Sequence, residues 1–287
     1  MVLIELQSGD LRATITPIGA EVRSLNLRGV EYLWPAQELW KRTAPILFPI
    51  VGKLREDTLF DKGRLYTMGQ HGFARDKSFR IEDVSTSAAK FNLTSDQSTL
   101  KQYPFKFVLE AAYELRPDRL LATYSISNPG AETLPASFGL HPAFRWPLDP
   151  AGDKTAYVLR FEKEEPPGIR RLKDGLLKPQ VFASPIRDKV LPLSESLFKD
   201  DAVIFLGVNS SEVEYGGPAG PSVRLSWSRF TDLALWSRAP GDFLCIEPWH
   251  GYADPEGFKR EFTRKPGLML IEPGDSRDFT VVIEPRG

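Results

Sequence analysis

Proton chemistry near neutrality needs imidazoles and carboxylates, and this chain of 287 residues has only three histidines: His71, His141 and His250. Each stands beside glycine or proline with an aromatic residue close by, in Gln70-His71-Gly72-Phe73, Leu140-His141-Pro142-Ala143-Phe144 and Trp249-His250-Gly251-Tyr252. Such neighbours place all three at strand ends and in loops. An imidazole of ordinary pKa ~6.5 can give or take a proton at physiological pH. It can equally be a structural hydrogen-bonder, and the residues alone leave both readings open. No two histidines are two or four positions apart, the spacings that preset ligands on one element, so a three-histidine metal site is not expected.

The carboxylate of interest is Glu247, in Asp242-Phe243-Leu244-Cys245-Ile246-Glu247-Pro248-Trp249. As a strand, this segment puts Leu244 and Ile246 on one face and Phe243, Cys245 and Glu247 on the other. Pro248 lacks an N–H and is expected to terminate the strand just after Glu247. A carboxyl between an apolar strand and an aromatic loop is partly desolvated, which raises its pKa and suits a general base; a solvated strand-end glutamate is the alternative. Cys245, the single cysteine, has no activating base beside it and reads as a small buried apolar residue. Dinucleotide (GxGxxG), P-loop, GxSxG and HExxH signatures are absent.

The elements that must position these groups read as strands. With 24 prolines and 22 glycines spread along the chain, little room is left for capped helices of a dozen residues. Tyr113 to Asn128 is a predicted hairpin turning at Pro117-Asp118, with Leu120, Ala122, Tyr124 and Ile126 on alternate positions. Leu11 to Ile15 and Glu21 to Leu27 form a second pair around Pro17-Ile18-Gly19. A third predicted hairpin closes the chain, Leu268 to Ile271 and Phe279 to Ile283 around Glu272-Pro273-Gly274-Asp275. Between Asp149 and Pro192 the pattern dissolves into proline, glycine and charge, read as long loops on one scaffold. One domain over residues 1–287 is expected.

Charge nearly cancels, with 37 Lys+Arg against 38 Asp+Glu, so no general nucleic-acid or polybasic membrane surface is expected and the partner is a small molecule. One cysteine permits no internal disulfide, and no apolar stretch approaches the ~20 residues of a membrane helix. The N-terminus lacks the features of a secretory signal, which makes a cytoplasmic location the expectation.

Six segments in order resemble the aldose 1-epimerase (galactose mutarotase) family, in a branch often described as LacX-like: Ile18-Gly19-Ala20-Glu21, Phe48-Pro49-Ile50-Val51-Gly52-Lys53-Leu54-Arg55, Gln70-His71-Gly72-Phe73-Ala74-Arg75-Asp76, Gly139-Leu140-His141-Pro142-Ala143-Phe144, Asp201-Ala202-Val203-Ile204-Phe205, and Glu247-Pro248-Trp249 with Gly251-Tyr252-Ala253-Asp254. The resemblance spans almost the whole chain. It implies an all-β fold, the large antiparallel β-sandwich (supersandwich) of galactose mutarotases with few short helices, whose concave face holds a sugar. It implies an isomerase that interconverts α and β anomers through the open-chain aldehyde without a cofactor or metal, as a monomer or homodimer. In it Glu247 is the base, His141 the acid, His71 a group that holds or polarises the sugar near its ring oxygen, and Asp201 a ligand to sugar hydroxyls. Leu140 and Ala143 stand where the best-studied members have Asn and Tyr, so contacts to the sugar must differ.

Residues 41 to 80 carry nine Lys+Arg against four acids, and Lys53, Arg55 and Arg75 are candidates to meet a sugar phosphate, a substrate some related family members use. A solvated basic face is the plain alternative. Phe73, Phe144, Trp249 and Tyr252 could form the apolar wall of a sugar site, or simply pack the core. Two other functions compete with the epimerase: a non-catalytic sugar-binding module, and a carbohydrate hydrolase or lyase pairing Glu247 with Asp254 or Glu256.

Overall fold

The computed structural model describes residues 2–287. Strand accounts for about 47% of the chain and helix for about 7%, so the chain is all-β. A nine-stranded antiparallel sheet runs in the order 190–192, 158–161, 212–216, 222–228, 276–286, 119–127, 108–116, 88–94 and 80–84. A six-stranded sheet has the order 203–206, 232–236, 243–250, 138–140 and 46–47, with 143–145 also pairing 243–250. The two pack face to face through aromatic rings: Phe138 of the smaller sheet lies 5.2 Å from Tyr124 and 4.9 Å from Phe279 of the larger. A four-stranded N-terminal sheet, 4–8, 11–16, 21–27 and 30–31, joins the same core through Leu6, Leu11, Ile15 and Leu25.

The alternation rule works where a short turn closes a strand pair. Val108–Arg116 and Arg119–Ser127 pair around Pro117-Asp118, and Leu120, Ala122, Tyr124 and Ile126 are all buried. Leu11–Thr16 and Glu21–Leu27 pair likewise.

The C-terminal expectation needs correcting. Met269–Ile271 pairs with Leu134–Ala136, while Ser276–Arg286 inserts between Arg119–Ser127 and Ser222–Ser228. The turn between them therefore crosses from one sheet to another. Asn128 fixes that crossing: its side-chain amide donates to the Ile271 carbonyl at 2.8 Å, its N–H to the Asp275 carbonyl, and its carbonyl accepts from Gly274 N–H. In the weakly patterned stretch, Gly168–Ile169 pairs with Phe182–Ala183 and Leu172–Lys173 with Leu176–Leu177, while Ile169, Ile186 and Leu191 bury into the main core. No helix among the described residues is long and apolar enough to cross a membrane.

Candidate active site

The site is built by register. The strand Phe243–His250 pairs on one flank with Phe138–Leu140 (Gly139 opposite Trp249) and then with Ala143–Arg145 (Ala143 opposite Cys245). Both pairings share one register, so the residue facing Glu247 across the interruption is His141. On the other flank Ala234 faces Glu247 and Trp236 faces Cys245. Pro248 does not end the strand as expected; the chain stays extended to His250. The ladder on the His141 flank is already broken opposite Pro248, which removes the demand for its missing N–H there.

The period of two assigns the faces. Leu244 and Ile246 enter the main core, whereas Phe243 and Cys245 join a separate cluster with Trp34 and Ala143 on the face that carries Glu247. Above that face lies a cavity of about 540 Å³ lined by Trp40, His71, Arg75, His141, Trp236, Glu247 and Trp249, with Asp201, Lys199 and Arg238 among the rim residues. That is an ordinary size for a small-molecule site.

At its floor, His141 Nε2 stands 3.3 Å from Glu247 Oε2, and the carboxylate residue is 1% exposed. Trp40 stacks on the imidazole at 4.9 Å and Trp236 meets it edge-on at 5.8 Å. Burial pushes the Glu247 carboxyl well above the ordinary range; the Trp249 indole pulls it partly back and the Asp201 carboxylate adds to the rise. Burial also drives His141 down, to about 3, helped by the charges of Arg75 and Arg42. Both shifts favour a protonated carboxyl beside a neutral imidazole.

His71 is fixed by its backbone. It sits at φ 65°, followed by Gly72 at φ 70°, where a Cβ would lie 2.3 Å from the Phe48 carbonyl oxygen, so only glycine fits. The His71 N–H donates to the Gly52 carbonyl at 2.7 Å and the Gly52 N–H donates back to His71 Nδ1 at 3.1 Å. With Nδ1 accepting, the neutral ring carries its proton on Nε2. Burial lowers its pKa well below the usual value, with His141, Arg75 and Arg42 adding to the effect. Its ring lies 5.7 Å from that of His141.

Of the residues expected at the site, Glu247, His141, His71, Asp201, Arg75 and Trp249 line this cavity, and Phe144, Lys53 and Arg55 do not. Phe144 faces Leu244, hence the core side of the sheet, and is fully buried against Tyr215. Phe73 packs in the core with Tyr103 and Phe107. Arg55 pairs with Glu56 at 2.6 Å and lines a second cavity of about 220 Å³, while the Lys53 ammonium stands 3.7 Å from Asp57. The chain turns tightly over Arg55–Asp57, with Glu56 at φ 55°, directly after Lys53 and Leu54. Only Arg75 of the three reaches the main cavity; it donates from Nη2 to the Gln70 carbonyl at 2.7 Å. Asp201 sits on the rim at φ 66°, its carboxylate accepting the Ala202 N–H. Asp254 belongs to the second cavity and accepts the Arg55 N–H, and Glu256 is exposed, so the hydrolase reading loses its paired carboxylate. His250 lies at the strand end near the Arg229 carbonyl.

Trp40, Trp236, Lys199 and Arg238 were not anticipated. No motif surrounds them, and Trp236 enters only because the ladder sets it opposite Cys245. Among the described residues the one trio of metal-type side chains with mutually close donor atoms is His141, Cys245 and Glu247, within 4.8 Å of one another.

A β-sandwich carries a buried histidine–carboxylate pair at the floor of an open cavity of small-molecule size, groups that can exchange protons with what binds there. The chain belongs to the aldose 1-epimerase family: residues 2–166 match the profile described as aldose 1-epimerase. It is 30% identical to the chromosomal protein LacX of Lactococcus lactis subsp. lactis, over 97% of this chain and 99% of that one. A galactose mutarotase related enzyme from Lactobacillus acidophilus superposes with a TM-score of 0.94 at 29% identity, covering 100% of this chain and 98% of the other. A galactose mutarotase-like protein from Lactobacillus casei gives 0.93 at 30% identity, over 99% of this chain and 100% of that one.

Proposed function

We propose that this protein is an aldose 1-epimerase that interconverts the α and β anomers of a hexose or hexose phosphate. The observation that carries the reading is the buried pair of Glu247 and His141, opposite each other at the cavity floor and 3.3 Å apart. Ring opening breaks the bond between C1 and the ring oxygen. Glu247 takes the proton of the C1 hydroxyl as that oxygen becomes the aldehyde carbonyl, and His141 gives a proton to the ring oxygen. After rotation about C1–C2 the hydroxyl attacks the other face of the carbonyl, His141 recovers its proton, and Glu247 returns one to the C1 oxygen. The pair carries one proton throughout.

That proton rests differently at the two stages. The closed sugar is matched by carboxylate and imidazolium; the open aldehyde by carboxylic acid and neutral imidazole. Burial favours the second distribution. The site therefore suits the open-chain intermediate, and a surround that stabilises the species along the path lowers the barrier. His71, presenting Nε2–H, is placed to hold the sugar beside His141, and Asp201 to accept from hydroxyls at the rim. A phosphate on the sugar would meet Arg75, Lys199 and Arg238 rather than Lys53 or Arg55.

The test is NMR exchange between anomers of glucose, galactose and glucose 6-phosphate, with wild type against Glu247→Gln and His141→Ala. Acid and base groups each contribute ~10²–10⁴-fold, so either substitution should slow exchange by that order in folded protein. Sugar binding with exchange at the spontaneous rate would instead make the protein a carbohydrate-binding module.

A further inference from the structure

We propose that Cys245, Glu247 and His141 also form a binding site for one divalent transition cation of the zinc class, and that its occupancy shuts off proton transfer. Cys245 and Glu247 are two residues apart on one strand and share a face, while His141 faces Glu247 from the neighbouring flank. This i, i+2 spacing, which no two histidines have, exists between a thiol and a carboxylate.

The geometry suits a small tetrahedral ion. For zinc with bonds of about 2.0 Å to N and O, the tetrahedral edge is about 3.3 Å. The separation of His141 Nε2 from Glu247 Oε2 is 3.3 Å. One donor atom from each of the three residues lies within 4.8 Å of the others, against a tetrahedral edge to sulfur of about 3.5 Å, so the trio must close somewhat around an ion. Ala143 faces Cys245 on the His141 flank and Ala234 faces Glu247 on the other, so one small neighbour stands beside each, while Trp236 stands opposite Cys245 on its second flank. Glu247 Oε2 is buried without a hydrogen-bond partner, a group that burial leaves in need of a proton or a cation.

Charge and softness agree. A thiolate and a carboxylate together neutralise a divalent ion, as a buried site requires. Thiolate, imidazole and carboxylate are zinc-type donors, and two of the three donors, His141 and Glu247, line the cavity from which an ion would enter. Cys245 is inert as a free thiol, because burial holds its proton; a coordinated thiol is deprotonated outright. The metal occupies the lone pairs that the sugar reaction uses, so ion and proton transfer exclude one another. That consequence rests on the epimerase reading, whereas the binding itself does not.

The experiment is a cobalt(II) titration of the chelator-treated full chain without sugar. The expected result is one equivalent of Co²⁺ giving intense tetrahedral d–d absorption and a near-ultraviolet thiolate-to-cobalt band, both displaced by Zn²⁺. Cys245→Ser, shown to be folded by circular dichroism, should lose the thiolate band. Its Co²⁺ affinity should fall by more than the ~10–100-fold that loss of a group behind a ligand costs. In anomer exchange, Zn²⁺ should inhibit wild type reversibly, and Cys245→Ser should be less sensitive relative to its own metal-free rate. Absence of tetrahedral absorption at millimolar Co²⁺, or an unchanged spectrum in Cys245→Ser, would overturn the site whatever the exchange assay shows.

Discussion

Glu247 should cost the fold stability at neutral pH, and Glu247→Gln exposes the cost. In the unfolded chain its carboxyl titrates near 4.5; in the fold burial raises that value well above. A raised carboxyl pKa favours folding only below the unfolded value, and the advantage is lost as pH climbs past it. The folded state must hold a proton that the unfolded state releases. The penalty grows by up to about 1.4 kcal/mol per pH unit above 4.5, so at pH 7 it cannot exceed about 3.4 kcal/mol. Glutamine keeps the shape and has no proton to hold. Urea unfolding of both proteins from pH 4 to 8 should therefore show the variant gaining on wild type as pH rises, by up to ~3.4 kcal/mol between pH 4.5 and 7. Any offset from altered packing is constant with pH and drops out of the comparison. A difference that stays flat across this range would mean that Glu247 is solvated and that the site lacks the low-dielectric floor on which the acid–base reading depends.

Phe144→Ala should destabilise the fold by ~3–5 kcal/mol in denaturant unfolding while leaving sugar affinity of the folded protein unchanged, because the ring lies in the core. Gly52→Ala places a Cβ 2.6 Å from that of Ala253 at φ +73°, and a melt should show a loss of ~1–3 kcal/mol with weaker sugar binding, since Gly52 clasps His71. Sugar binding should change tryptophan fluorescence saturably, and Trp40→Ala should remove most of that change if the stacked indole walls the site. The acid limb of kcat/KM should fall well below pH 6.5, because burial keeps His141 neutral down to about 3. A limb near 6.5 would place that imidazole in water.

How much of this was legible depended on sequence distance. Strands were readable wherever alternation and a turn lay within a dozen residues, as in Tyr113 to Asn128. The C-terminal strands were equally visible, yet their partners were not, because Met269–Ile271 finds Leu134–Ala136 across the chain. His71, His141 and Glu247 were found as motifs, but that the last two oppose each other follows from a ladder register no local pattern encodes. The aromatic wall was legible only in part for the same reason: Trp249 lines the cavity, Phe144 is near His141 in sequence but on the core face, and Trp40 and Trp236 are remote in sequence and in contact with the His141 ring. Lys53, Arg55 and Arg75 looked like one patch because a charge count ignores where the backbone turns.

The interruption between Leu140 and Ala143 has an evolutionary consequence. His141 and Glu247 hang from two main-chain segments locked by a single register, so inserting or deleting one residue within either segment would turn the side chain it carries to the other face and separate the pair. The rim is under no such lock. Leu172, which also lines the cavity, comes from a hairpin tied by a two-residue ladder, and Lys199 and Asp201 from a turn, segments that can change length without shifting the register of the floor. Lineages can therefore remodel the rim while inheriting the pair of Glu247 and His141 intact, and rim residues should diverge across relatives far faster than this pair.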